Sequence, residues 1–169
     1  TYSAAEADTQ MSKIDANSGV VTFCTAPDIE NQGSSAGPND YAITVTVSDG
    51  TNTTEQAATA AVTDVNEGQV FTSDATASVA ENQAVAYNAT ATDAESTGLT
   101  YSLSEADTKL FKIDANSGVV TFITAPDFEN PGSSAGTNDY AITVTASDGT
   151  NTTDQAVTVT VTDVNEAPS

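Results

Sequence analysis

The sequence predicts an all-β protein built from β-sandwich units in tandem. Three observations lead there. Val62-Thr63-Asp64-Val65-Asn66-Glu67 returns as Val161-Thr162-Asp163-Val164-Asn165-Glu166, at an offset of 99 residues (163 − 64 = 99) that holds without insertion. Short runs alternate apolar and polar residues with period two, and no long helical pattern interrupts them. Clusters of Asn, Ser, Asp and Gly punctuate the runs as turns. Roughly three quarters of the aligned positions are identical, and a repeat of this length is domain-sized, unlike the short units of a solenoid.

Residues 67–169 form the complete unit. Ala75–Val79 and Val85–Thr90 read as its first and second strands, followed by Leu99–Leu103 and Phe111–Ile113. Ala115-Asn116-Ser117-Gly118 supplies a turn into Val119–Ile123. Tyr140–Ala146 and Val157–Val161 close the set around the turn Ser147–Asn151, and Glu105–Lys109 suits one helical turn. Seven short strands of this kind indicate a sandwich. Residues 1–66 begin at the third strand, so this unit lacks its first two. Its residues are also smaller at expected core positions: Ala4 for Leu103, Ser12 for Phe111, Ala58 for Val157 and Ala60 for Val159. Each loss costs on the order of 1–4 kcal/mol. An open edge of that sort calls for strands from a neighbouring repeat, a preceding segment or another copy.

Composition narrows the function. Three Lys+Arg face 24 Asp+Glu with no His, a formal net charge of −21. Phosphate recognition needs clustered cations, so nucleic acid is excluded as a partner, and anionic membrane surfaces are disfavoured. No apolar run approaches the ~18 residues of a membrane span. The single Cys24, aligned with Ile123, is expected to be a small buried hydrophobe. With no His, no Ser–His or Cys–His pairing and no glycine-rich phosphate loop, no enzyme is expected.

The acids cluster at strand ends: Glu81, Asp93 and Glu95, Asp127 and Glu129, Asp148, then Asp163, Asn165 and Glu166. Ends of alternate strands share a pole of a sandwich, and only Glu81 breaks that alternation. Six to eight oxygens at ~2.3–2.6 Å are the coordination calcium takes, whereas zinc needs Cys and His.

Val79-Ala80-Glu81-Asn82, Asp93-Ala94-Glu95, Phe111-Lys112-Ile113-Asp114 with Ser117-Gly118-Val119, Pro126-Asp127-Phe128-Glu129, Ser147-Asp148-Gly149 and Asp163-Val164-Asn165-Glu166-Ala167-Pro168 occur in that order. Together they resemble the motifs of the cadherin repeat, across the whole second unit and the first from its third strand on. The acidic, Thr-rich, His-free composition points to a bacterial cadherin-like repeat of a secreted or surface protein. The resemblance implies seven-stranded Greek-key, immunoglobulin-like sandwiches with one to three Ca2+ ions at the joint between units. Asp28, Glu30, Asp64, Asn66 and Glu67 would serve from the first unit. Asp93, Glu95 and Asp148 would serve from the second, with backbone carbonyls near Val65 and Gly68. Glu67 and Glu95 stand where the family usually has Asp. The far pole would offer Glu81, Asp127, Glu129, Asp163, Asn165 and Glu166 to a further repeat.

The function this implies is a calcium-rigidified, extracellular adhesion and spacer module, open to homophilic self-association. The alternative is a polysaccharide-binding module, for which Phe71 and Tyr87 are the aromatics least committed to a core. Asn52, Asn88 and Asn151 also fit the glycosylation pattern.

Overall fold

The computed structural model describes residues 1–5, 12–30, 39–95, 98–105 and 107–166. These divide into two compact units, Thr1–Val65 and Asn66–Ser169. Ala106 and the Ala167-Pro168 end of the closing motif lie outside the described residues.

The first unit carries β1 (Tyr2–Ala5), β2 (Ser12–Ile14), β3 (Val21–Phe23), β4 (Asp40–Ser48) and β5 (Thr53–Ala61). The order β1-β4-β5 makes one antiparallel sheet, and β2-β3 is a separate hairpin. Tyr41 and Ile43 on β4 are buried, with the Phe23 ring edge-on to Tyr41 at 5.0 Å.

The second unit carries β6 (Val70–Phe71), β7 (Thr76–Ala80), β8 (Val85–Asn88), β9 (Ala91–Thr92), β10 (Thr100–Ser104), β11 (Phe111–Ile113), β12 (Val119–Phe122), β13 (Asp139–Ser147) and β14 (Thr152–Thr162). A 3-10 turn at Thr108–Leu110 precedes β11, at the C-terminal end of the expected helical turn. One sheet runs β10-β13-β14-β7 and the other β11-β12-β8, with β6-β9 as a separate ribbon. Tyr140, Ile142, Val144 and Ala146 on β13 and Val157, Val159 and Val161 on β14 point inward at every second position. This period-two face is what the alternation in the sequence encodes. Fully burying each valine contributes about 1.5–3 kcal/mol. From the opposite sheet, Phe111 and Phe122 meet Tyr140 edge-on at 5.9 and 5.4 Å, so aromatic packing joins the two layers.

Two details differ from the sequence reading. The expected second strand breaks after Asn88. Ala89 still donates its N–H to Gly118 O at 3.0 Å, but Thr90 O accepts from Thr72 N–H at 2.8 Å. The backbone changes partners there, and Ala91–Thr92 pairs with Val70–Phe71, two residues too few to register as a strand pattern. Cys24 is exposed, as is Ile123 in the other unit, because both follow the last residue of a strand and turn outward.

One pairing positions the candidate site. β7 runs parallel to β14, with Val79 opposite Val161 and Ala80 opposite Thr162. Glu81 and Asp163, each one residue beyond its strand, are therefore brought to the same pole. Counting strand ends as if all neighbours were antiparallel hides this, and it accounts for the break at Glu81 in the alternation.

Candidate metal centres

At the far pole of the second unit, Glu81 is 2% exposed. Its Oε2 accepts the Phe128 N–H at 2.9 Å and its Oε1 the Val164 N–H at 2.8 Å. Each oxygen retains a second lone pair. Carboxylate oxygens of Glu81, Glu129 and Asp163 lie within 4.8 Å of one another. Asp127 Oδ1 accepts the N–H groups of Glu129 and Asn130, which fixes the loop that presents Glu129. Glu166 Oε1 accepts from Asn82 Nδ2 at 3.0 Å, while Asn165 is exposed. Glu129 has a raised pKa. Its own backbone N–H lowers the value most, but desolvation and the charges of Glu81, Asp163 and Glu166 together outweigh that. Such a carboxylate faces unneutralised like charge, and a divalent cation with hard oxygen preference suits this donor set.

At the near pole of the same unit, Asp148 Oδ2 accepts from Asn66 Nδ2 at 2.7 Å, and its Oδ1 takes the N–H groups of Thr150 and Asn151. The Asn66 amide, then those two backbone groups, hold the Asp148 pKa below its ordinary value. Asn151 Nδ2 in turn donates to Asn66 O and Glu67 O, so this asparagine of the glycosylation pattern is engaged in pinning the chain. Glu67 and Glu95 present carboxylate oxygens within 4.8 Å of each other. Neither carboxylate oxygen of Glu95 has a hydrogen-bond partner among the described residues. Asp93 Oδ1 receives the Glu95 N–H at 3.2 Å. Gly68 has only Thr153 Oγ1 nearby, at 3.7 Å from where a Cβ would stand.

Within the first unit, Asp28 Oδ1 accepts the Glu30 N–H at 3.0 Å. Glu30 has a raised pKa, first through desolvation and then through the charges of Asp28 and Asp64, so these three acids are neighbours. Val65 is 68% exposed.

Sequence reasoning missed three supporting side chains. Gln69, 3% exposed, donates from Nε2 to Asp93 Oδ2 at 3.1 Å. Asn138 Nδ2 donates to Phe128 O at 3.0 Å and steadies the loop before Glu129. Asn82 holds φ at +63°, in the left-handed region that Asn tolerates better than most side chains, and its amide reaches Glu166. The aromatics considered for sugar stacking are not platforms. Tyr87 is 7% exposed with its hydroxyl 2.6 Å from Asp74 O, and Phe71 packs on the core.

The sequence profile described as "Cadherin domain" matches residues 75–162. No match was found among curated protein sequences. Among solved structures, human protocadherin-24 EC1-2 is similar with a TM-score of 0.62 and 20% identity, over 98% of this chain and 82% of that one. Mouse cadherin-23 EC22-24 is similar at 0.58 and 22%, over 96% of this chain and 52% of that one. The protocadherin GammaB4 extracellular domain is similar at 0.58 and 25%, over 97% and 27%. The chain thus spans about half of the second and about a quarter of the third. With the matched domain covering more than half of its length, the chain belongs to the cadherin family.

Proposed function

We propose that this chain is an extracellular adhesion and spacer module whose poles bind calcium, stiffening the joint between repeats. The observation that carries the reading is the convergence of Glu81, Glu129 and Asp163 within 4.8 Å in a chain of net charge −21. Family membership supports the extracellular, adhesive and non-catalytic character. When bound, calcium supplies positive charge that turns mutually repelling carboxylates into shared ligands. Asp127, Asn165 and Glu166 complete the far pole. At the joint, Asp28, Glu30, Asp64, Asn66, Glu67, Asp93, Glu95 and Asp148 serve, with the carbonyls of Val65 and Gly68. Asn66 and Asn151 hold the first linker residues in place, so the carboxylates need little reordering.

Affinities in the range of about 10⁻⁴–10⁻³ M suffice for an extracellular module. The acidic, His-free composition suits a bacterial surface protein, and self-association between copies fits an adhesive role. Small-angle scattering tests the spacer. Millimolar calcium should lengthen the particle and narrow its distance distribution relative to EDTA. An identical profile in both buffers would remove the stiffening role.

A further inference from the structure

Gln69 stands directly after linker residues 66–68 and directly before β6, and it is 3% exposed. The pairing of β6 with β9 puts it there. These strands run antiparallel, with Val70 opposite Thr92 and Phe71 opposite Ala91. One residue back from β6 and one on from β9, the same register sets Gln69 across from Asp93. A ribbon of two residues on each side is too short to stand by itself. Its effect is to bring a linker side chain onto the loop that carries Asp93 and Glu95.

The Gln69 amide is used at one end only. Nε2 donates to Asp93 Oδ2 at 3.1 Å, while Oδ1 of the same carboxylate accepts the Glu95 N–H at 3.2 Å. Each Asp93 oxygen is therefore held by a donor. Gln69 Oε1 is shielded from solvent and has no hydrogen-bond partner among the described residues, and the same holds for both carboxylate oxygens of Glu95. A buried amide oxygen without a donor lowers stability. An apolar side chain of the same length would fill the space at no such cost, so packing does not account for a glutamine at this place. The bond to Asp93 does.

The second copy of the linker differs here. Asp64-Val65-Asn66-Glu67 is repeated as Asp163-Val164-Asn165-Glu166, but Gln69 corresponds to Pro168 (168 − 69 = 99), which has no side-chain donor. The amide is thus particular to the first linker and not part of the repeated motif.

We propose that Gln69 is a positioning residue for the ion at the near pole, a role that rests on the calcium reading above. Its Nε2–H holds the Asp93 carboxylate in the orientation in which it ligates, before the ion arrives. Loss of a donor behind a metal ligand weakens binding by about 10–100-fold. The residue at this place of the linker thereby tunes the affinity of the pole, and the ion is the partner that the shielded Glu95 oxygens call for.

NMR titration of the full chain with calcium, starting from EDTA, reads the two poles separately. Amides of Gly68, Asp93 and Glu95 report the near pole, and those of Phe128, Glu129 and Val164 the far one. The variant is Gln69→Met, which keeps the length and removes both amide groups. The expected result is a near-pole midpoint raised about tenfold in calcium concentration with the far-pole midpoint unchanged. Thermal unfolding in EDTA should come no earlier than in the parent chain, since the orphaned oxygen is gone. An unchanged near-pole midpoint overturns the role of Gln69 and leaves the calcium reading standing. Earlier unfolding in EDTA, or a weakening shared by both poles, marks Gln69 as a structural residue and overturns it too. Near-pole amides that ignore calcium in the parent chain overturn both.

Discussion

β5 and β14 are two copies of one strand in two environments. Val157, Val159 and Val161 are at most 2% exposed on β14, while every residue of β5 except Ala60 is exposed. Both strands make the same hairpin with the preceding strand: Tyr41 faces Ala60 as Tyr140 faces Val159. Tyr101 OH accepts the Ala91 N–H at 3.1 Å, which ties β10 to β9. The turns are almost superposable in their bonding. Asp15 Oδ1 takes the Asn17 and Ser18 N–H groups at 3.1 and 2.7 Å, and Asp114 Oδ1 takes those of Asn116 and Ser117 at 3.1 and 2.8 Å. Local sequence is thus enough for hairpins and turns. Burial is a tertiary property, and here β7 and β8 confer it.

The largest expected contrast is in the valines. Val159→Ala removes side-chain volume from a fully enclosed site and should cost about 2–3 kcal/mol in chemical denaturation. Ala60→Val, the reverse change in the open unit, should alter stability by less than about 0.5 kcal/mol. Equal and opposite effects would mean the two strands are equally enclosed.

A smaller contrast separates two glycines. Gly118 (φ +71°) and Gly19 (φ +75°) both adopt the left-handed region. A Cβ at Gly118 would stand 2.3 Å from Ala89 O, a backbone atom, whereas at Gly19 it meets the Tyr2 ring at 3.0 Å, which can swing aside. Gly118→Ala should cost roughly 2–3 kcal/mol and Gly19→Ala about 1 kcal/mol, measured by thermal unfolding.

The smallest contrast should be none at all. The pKa values of Asp15 and Asp114 are both lowered, by the backbone N–H of Ser18 or Ser117 first, then that serine's hydroxyl, then the Asn N–H. A folded pKa below the unfolded one gives stability that is complete above the ordinary value of 3.8 and lost as pH falls through the folded value. Acid titration followed by NMR should show the amides of Ser18 and Ser117 shifting together. Asp15→Asn and Asp114→Asn should each abolish the response in their own turn alone.

Much of this architecture was readable from residues, for reasons the two units make plain. The Asp-Ala-Asn-Ser-Gly turn is self-contained, so its sequence suffices, and the alternation along β13 and β14 announces their inward face. The parallel return of β7 onto β14 has no local signature, because period two is the same for either direction. That is why Glu81 looked misplaced until the pairing brought it beside Asp163. Gln69 and Asn138 escape sequence reading because a polar residue in a loop looks solvated until its partner is known. Cys24 misled because position 24 continues an apolar run past the point where pairing ends.

The proposed role stands or falls on whether the carboxylates gathered at the poles of these units take calcium. Calorimetric titration of the full chain with calcium tests it most directly, alongside Glu129→Gln and Glu95→Gln variants that leave the buried Glu81 contacts in place. Saturable binding at sub-millimolar to millimolar calcium is predicted, with each variant losing only its own pole's share of the bound ions. No saturable heat in the wild-type chain, or full binding retained when both glutamates are replaced, would mean that these carboxylates are not calcium ligands.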